Sequence, residues 1–275
     1  MMDVAPVSVP PRSWRNDLRA IRIVWHRDML RFWHDKPRIF ASALQPMLYL
    51  FVFGAGMSSV VSTHGVDLRI FLYPGVMAMA TLFTCFFSAG SIVWDREFGF
   101  MREMLVAPVR RSAIIIGKAC GGATTGMFQA LTVLVVGGLV GVPYDPLLML
   151  TLLGELVILS FAITSIGVLV AVRIKSFQAF MALVQIIIMP MFFLSGALFP
   201  LRGLPTWLEV LTRFDPLTYA VDPMRRQVLG HVSGAVTPGV TWGTYLVPTW
   251  LELLIVLATG VLALVIAGRT FGKAE

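Results

Sequence analysis

The chain has 275 residues, 57% of them apolar and 13% charged, with a net charge of +7. Soluble domains carry roughly 45–50% apolar and 25% charged residues, and a mean hydropathy of +0.81 would force large apolar patches into water. This excludes a soluble enzyme, a disordered chain and a disulfide scaffold; Cys85 and Cys120 both lie in apolar runs and carry no redox signal.

In chain order, the first element is an amphipathic helix over 13–36. Trp14, Leu18, Ile21, Trp25, Met29 and Phe32 recur at steps of three and four, bordered by arginines. Such a stripe suits the headgroup region, either as an anchor or as a moving part, and Lys36-Pro37 ends it. Six apolar runs follow, near 39–61, 69–94, 113–140, 147–171, 177–198 and 248–268, each able to cross a bilayer as a helix. The expected fold is all-α: a polytopic membrane domain over 37–270 preceded by a segment over 1–36. No short apolar core with a small-residue cleavage site precedes the first run, so no cleaved signal peptide is expected.

An even span count puts both termini on one side. Sixteen Lys and Arg fall before span one, between spans two and three, after span four and in the tail, with Lys118 just inside span three making seventeen; only Arg69, Arg202, Arg213, Arg225 and Arg226 fall opposite. The basic side reads as cytoplasmic.

Between spans two and three, Asp95 to Arg111 (DREFGFMREMLVAPVRR) has mixed charge, an apolar stripe of Phe98, Met101 and Leu105, and Pro108 as a stop. This reads as a small amphipathic helix that either rests on the membrane or docks a soluble partner. Span three carries Gly117-x3-Gly121, Gly122-x3-Gly126 and Gly137-x3-Gly141, spacings that permit close helix packing, read here as packing within one subunit. Glu155 and Glu252 are the two acids inside spans and so functional suspects; both lie near the outer face, where they read as a hydrated packing or outer-gate element, the alternative being a proton or cation relay. Phe83, Phe86 and Phe87 of span two and Met181, Gln185, Met189, Phe192 and Phe193 of span five are the candidates for an apolar substrate path, the alternative being a lipid-facing stripe. Between spans five and six, Leu204 to Phe214 and Pro216 to Leu229 read as short outer re-entrant helices, resting on or dipping into the outer leaflet, with Asp215-Pro216 and Asp222-Pro223 starting or capping them.

No nucleotide loop is present: Gly117-Lys118 has Ser112 five positions before it and Ala119 after it, which breaks the phosphate-loop pattern. The histidines are scattered and no metal-ligand spacing occurs, so neither catalysis nor a metal or other cofactor bound by this chain is expected.

The Asp95–Arg111 segment resembles the signature of ABC-2 type exporter permeases, the group that includes antibiotic-resistance and nodulation-factor exporters. The resemblance rests on Arg96-Glu97, on Glu103-Met104-Leu105 through Pro108, and on FFLSGALFPLRGLP from Phe192 to Pro205 with WLEVLTRFDPLTYAVDPMRR from Trp207 to Arg226. It implies a half-transporter in a bacterial cell membrane, paired with a second copy, most simply as a homodimer. Each copy would dock one cytoplasmic ATPase, two in all, and those partners would use the ATP and Mg. The 13–36 helix would then be a connecting helix and Asp95 to Pro108 a coupling helix, with Arg102 and Glu103 making polar contacts to the ATPase. The cargo would be drug-like amphipathic compounds, or alternatively a lipid-linked saccharide. Other classes stay open: an ATPase-independent channel or proton-coupled carrier working through Glu155 and Glu252, or a membrane-embedded enzyme using Asp215, Asp222 and His231. Nucleic acid is not an expected partner; membrane lipid is.

Overall fold

The computed structural model describes residues 14–58, 68–99, 109–201, 203–233, 239–242 and 245–274. Helix α1 spans Trp14–His34. Six helices are long and apolar enough to cross a membrane: α2 (Lys36–Met57), α3 (Leu68–Glu97), α4 (Arg111–Val140), α5 (Pro146–Arg173), α6 (Phe177–Leu194) and Thr249–Phe271 within the last helix. Between α6 and that helix lie α7 (Thr206–Phe214) and α8 (Thr218–Ser233). The two-residue strands β1 (Thr241–Trp242) and β2 (Tyr245–Leu246) then pair antiparallel before α9 (Thr249–Ala274). Six crossings return the chain to the end at which it starts, and that end also carries the end of α3 and the start of α4; it is called the basic end below.

Helix α3 is apolar all round and sits at the centre, packed against α4, α5 and α8. Helix α9 packs along α5, and α1 packs along α4. Helices α2 and α6 lie at the periphery with most of their apolar surface uncovered. Side by side, α1 and α4 run for three turns: Ile21 and Val24 meet Gly117, Asp28 meets Gly121, and the Trp25 indole donates to Thr124 Oγ1 at 3.0 Å. Trp33 then meets Phe128 edge to face. The packing face of α1 is therefore Ile21–Val24–Asp28, while Trp14 and Leu18 of the same stripe point outward.

The glycine pattern of α4 has a concrete purpose on both faces. Gly117 and Gly121 seat α1, whereas Gly122 and Gly126 face Thr164, Ser160 and Cys85 of α5 and α3 so closely that a Cβ would collide. Both faces are consumed inside one chain, as the intra-subunit reading requires. Helix α2 contains Pro46 and, directly after it, a π-helical turn over Tyr49–Phe53. A proline interrupts the hydrogen-bond ladder, and a π-turn absorbs the resulting register change.

At the far end, α8 is wedged among α3, α5 and α9, with Leu217, Val221, Met224 and Val228 fully enclosed. Asp215 caps this helix: Leu217 N donates to Oδ1 at 3.1 Å and the Thr218 hydroxyl lies 3.4 Å from Oδ2. Asp222-Pro223 does not start a helix as expected; both residues lie inside α8, whose beginning is already fixed four residues earlier by the Asp215 cap.

Candidate functional site

Two polar centres and one cleft stand out in an otherwise apolar bundle. The first centre joins α1, α3 and α4 at the basic end. Lys118, seven residues into α4 and about 10 Å along it, has a side chain that is 1% exposed. Its ammonium lies 3.1 Å from Asp28 Oδ1 and 2.7 Å from Asp95 Oδ2, and donates to Ser91 Oγ at 3.1 Å. Arg27 closes the group, 2.6 Å from Asp95 Oδ2 and 3.6 Å from Asp28 Oδ1. A lysine this deep is tolerable only because its donors are matched by carboxylates and a hydroxyl. The same lysine that fails the phosphate-loop pattern is thus an internal tie.

The conspicuous Arg96-Glu97 pair has an equally physical reading. Arg96 Nη1 donates to the carbonyls of Val172 (3.2 Å) and Ile174 (2.8 Å), just where α5 ends. Glu97 Oε2 accepts from Phe177 N at 2.8 Å, the first residue of α6. A cation meets a helix C-terminus and an anion meets an N-terminus, each on the pole that favours it. Together they clamp the link between α5 and α6 to the end of α3. Helix α3 then stops at Phe98, and Gly99, with φ of 85°, turns the chain in a left-handed conformation.

Asp95, Arg96 and Glu97 were expected to open a displayed coupling helix. They instead finish α3 and spend their side chains on contacts within the chain, while Phe98 is exposed. Met101, Arg102, Glu103, Leu105 and Pro108 lie outside the described residues.

The cleft, of about 560 Å³, opens between α1 and α2 on one side and α3 on the other, with Phe177 of α6 and Thr125 of α4 at its edges. One part is apolar, built by Pro46, Met79, Phe83 and Phe87; the other carries Asp28, Arg31, Asp35 and Arg38. Of the expected path residues, Phe83 and Phe87 line it, whereas Phe86 is fully buried in the α3 core. Met181 packs partly buried against the core, and Phe192 is buried against Tyr49. Gln185, Met189 and Phe193 lie on the uncovered face of α6. One chain therefore brings together two of the eight proposed path residues.

The second polar centre lies at the far end and was only half visible beforehand. Glu155 of α5 and Glu252 of α9 are both buried, and α8 supplies their partners. Gln227 Nε2 donates to Glu155 Oε1 at 2.5 Å. Arg226 binds Asp222 one turn before it, reaches Glu252 Oε1 at 2.6 Å, and donates to the Val247 carbonyl at 3.0 Å. Asp222 also accepts from Val240 N at 2.8 Å. Arg225 is buried against the Phe71 ring, 4.1 Å from its centroid, and donates to the Ala197 carbonyl at 3.1 Å. The two lone acids of the sequence are thus ends of one network that fastens α8 to α5 and α9. Among the described residues no group of three or more His, Cys, Asp or Glu side chains could hold a metal ion.

Asp215, at the start of α8, gives a pH-dependent prediction. Burial pushes its carboxyl up to about 7, against the opposing pull of the Leu217 N–H and the Thr218 hydroxyl. The folded state therefore holds this proton more tightly than the unfolded chain, whose Asp titrates near ~3.9. The associated stability is complete below the unfolded value and is lost as pH rises through about 7. Thermal unfolding in detergent should show Tm falling from pH 5 to pH 8, and Asp215→Asn should flatten that slope; an unchanged slope would remove Asp215 as its source.

Residues 19–229 match the family model for the ABC-2 type transporter. The chain is 29% identical over 192 residues to the putative transport permease ycf38 of Cyanophora paradoxa, covering 68% of this chain and 66% of that protein. It is 29% identical over 215 residues to nodulation protein J of Rhizobium leguminosarum bv. trifolii, covering 76% and 80%. With the inner membrane transport permease YadH of Escherichia coli K12 it shares 28% over 222 residues, covering 77% and 83%. A six-span helical bundle, with a polar centre at each end and its cleft at the basic end, carries this match over most of its length: the chain belongs to the ABC-2 type transporter family and is a multi-pass membrane protein of the transport-permease kind.

Proposed function

We propose that this chain is the membrane half of an ATP-driven exporter that moves amphipathic, drug-like compounds out of the cytoplasm or inner leaflet of a bacterial cell membrane. Two copies pair, each docks a cytoplasmic ATPase, and ATP and Mg belong to those partners. The basic end faces the cytoplasm, in keeping with the Lys/Arg bias. The observation that carries the reading is the cleft itself: a charged region and a Phe-lined region share one cavity at the basic end, the shape an amphipathic compound needs.

The mechanical argument starts at the 95–108 segment, the proposed docking element. Its first three residues end α3, which they tie to α1 and α4 through Asp95 and to the α5–α6 link through Arg96 and Glu97. Movement of a docked ATPase therefore acts on the whole basic end at once, and Phe83 and Phe87 on α3 move with it. Binding energy at the ATPase surface would bias a two-state arrangement of the cleft.

The test is recovery of an ATPase. Tagged protein pulled from its native membrane in mild detergent should bring down a soluble ATPase, and Arg102→Glu with Glu103→Lys should lose it. Undiminished recovery with the double variant would contradict the docking assignment. No ATPase with the wild type would contradict the ATP-driven reading.

A further inference from the structure

We propose that the charged end of the cleft is a binding site for an anionic headgroup, so that the cleft selects amphiphiles carrying a phosphate-like head and an apolar tail. This rests on the reading of the cleft as the substrate route and narrows it to one substrate class.

The argument is one of unmatched charge. Around the charged part of the cleft stand four cations, Arg27, Arg31, Arg38 and Lys118, and three carboxylates, Asp28, Asp35 and Asp95. The carboxylates are already committed. Asp28 and Asp95 are held by Lys118 and Arg27 at 2.6–3.6 Å. Asp35 caps α2, its Oδ1 accepting from Arg38 N at 3.3 Å. Arg31 is left with a 4.0 Å approach to an Asp95 already held by two closer cations, and its guanidinium sits 5.7 Å from the centroid of the Trp94 ring. The Arg38 guanidinium has no close ion pair or side-chain hydrogen bond among the described residues; Asp35 attracts it, and Arg31 works against that attraction. Two neighbouring guanidiniums on the wall of one cavity, neither held in a close ion pair of its own, are stabilised by an anion placed between them.

The rest of the cavity says what else the ligand carries. Ser42 and Gln45 lie one and two turns beyond Arg38 on α2 and face the cleft. Past them the wall becomes Pro46, Met79, Phe83 and Phe87. A head held by Arg31 and Arg38 would leave its chain running from polar to aromatic surface. A free inorganic anion would leave the apolar part unused, and an uncharged amphiphile would leave the guanidiniums unmatched. Phosphate suits the pair best because its oxygens accept the paired donors of a guanidinium.

The experiment uses the full-length protein in nanodiscs of zwitterionic lipid, titrated with radiolabelled dodecyl phosphate, with dodecyl maltoside and inorganic phosphate as competitors. Saturable dodecyl phosphate binding is expected, about tenfold to a hundredfold weaker in Arg38→Gln and in Arg31→Gln, with substantial recovery in Arg38→Lys. Dodecyl maltoside binding should be equal in all of them. Both arginines border an open cavity, so these variants should keep the wild-type gel-filtration profile, and unchanged dodecyl maltoside binding reports an intact cleft. Equal dodecyl phosphate affinity in wild type and both Gln variants would overturn the proposal. So would displacement by inorganic phosphate at similar concentration, since the tail would then contribute nothing. Nanodiscs containing phosphatidylglycerol separate two sources of the same chemistry: displacement of the probe means that a bilayer lipid occupies the site, and retention means a dissolved amphiphile does, the headgroup assignment holding in either case. Phe87→Trp, which narrows the apolar part, should weaken dodecyl phosphate and dodecyl maltoside alike. If it weakens neither while the arginine variants lose dodecyl phosphate, the headgroup site stands and the cleft falls as a substrate route.

Discussion

Lys118→Met is expected to cost about 3–5 kcal/mol, the usual penalty for removing one partner of a buried ion pair. The lysine lies between Asp28 and Asp95, whose side chains are 7% and 4% exposed. Without it, two carboxylates face each other across the α1–α3–α4 junction with only Arg27, and Arg31 at 4.0 Å from Asp95, to compensate. The expected result is a sharp fall in Tm of detergent-solubilised protein and poor recovery from membranes. Lys118→Met combined with Asp28→Asn and Asp95→Asn should regain much of the loss, because the triple variant leaves no uncompensated charge, and such replacement is often nearly neutral. A single variant as stable as wild type would mean that water reaches the site and screens it.

Arg226→Met should be comparably damaging at the opposite end. This one guanidinium binds Asp222 and Glu252 and holds the Val247 carbonyl, so its loss strands two acids among apolar side chains and unfastens α8 from α9. Adding Asp222→Asn and Glu252→Gln to Arg226→Met should restore folding in part, whereas Glu155→Gln, which can keep its bond with Gln227, should be mild. The observable is the temperature at which the monodisperse gel-filtration peak is lost on heating. Equal loss for Arg226→Met and Glu155→Gln would show that the arginine is not the centre of the network.

The spans were legible because a bilayer imposes a length of apolar sequence that nothing else in a chain this size requires. The run expected at 147–171 is Pro146–Arg173, and that expected at 113–140 is Arg111–Val140. Packing was legible where its signal was local: the four-residue glycine spacing of α4 marks two faces, and both are filled.

What escaped the sequence was contact between distant polar residues. Lys118 counts towards topology when read with its neighbours, and only the fold sets it beside Asp28 and Asp95. A signal did exist, since Asp28 falls on the Ile21–Trp25–Phe32 stripe of α1, where a lone acid calls for a partner. Glu155 and Glu252 were visible as suspects, but Asp222, Arg226 and Gln227 fell within a short outer helix, with nothing in the sequence to set them beside those acids. The two halves of the far network lie more than twenty residues apart, and hydropathy alone cannot pair them. Arg96 and Glu97 were noticed for their pattern, whereas their hold on the ends of α5 and α6 is a matter of three-dimensional placement.

The account turns on ATP-driven movement of an amphipathic compound through the cleft. The most direct measurement is transport in proteoliposomes containing this protein and its co-purified ATPase, with a fluorescent amphiphile as cargo. Movement should require ATP and the ATPase, and it should fall several-fold with Phe87→Trp. Movement without ATPase, driven by a proton gradient and abolished by Glu155→Gln with Glu252→Gln, would contradict the account and make the far-end acids the working groups of a carrier.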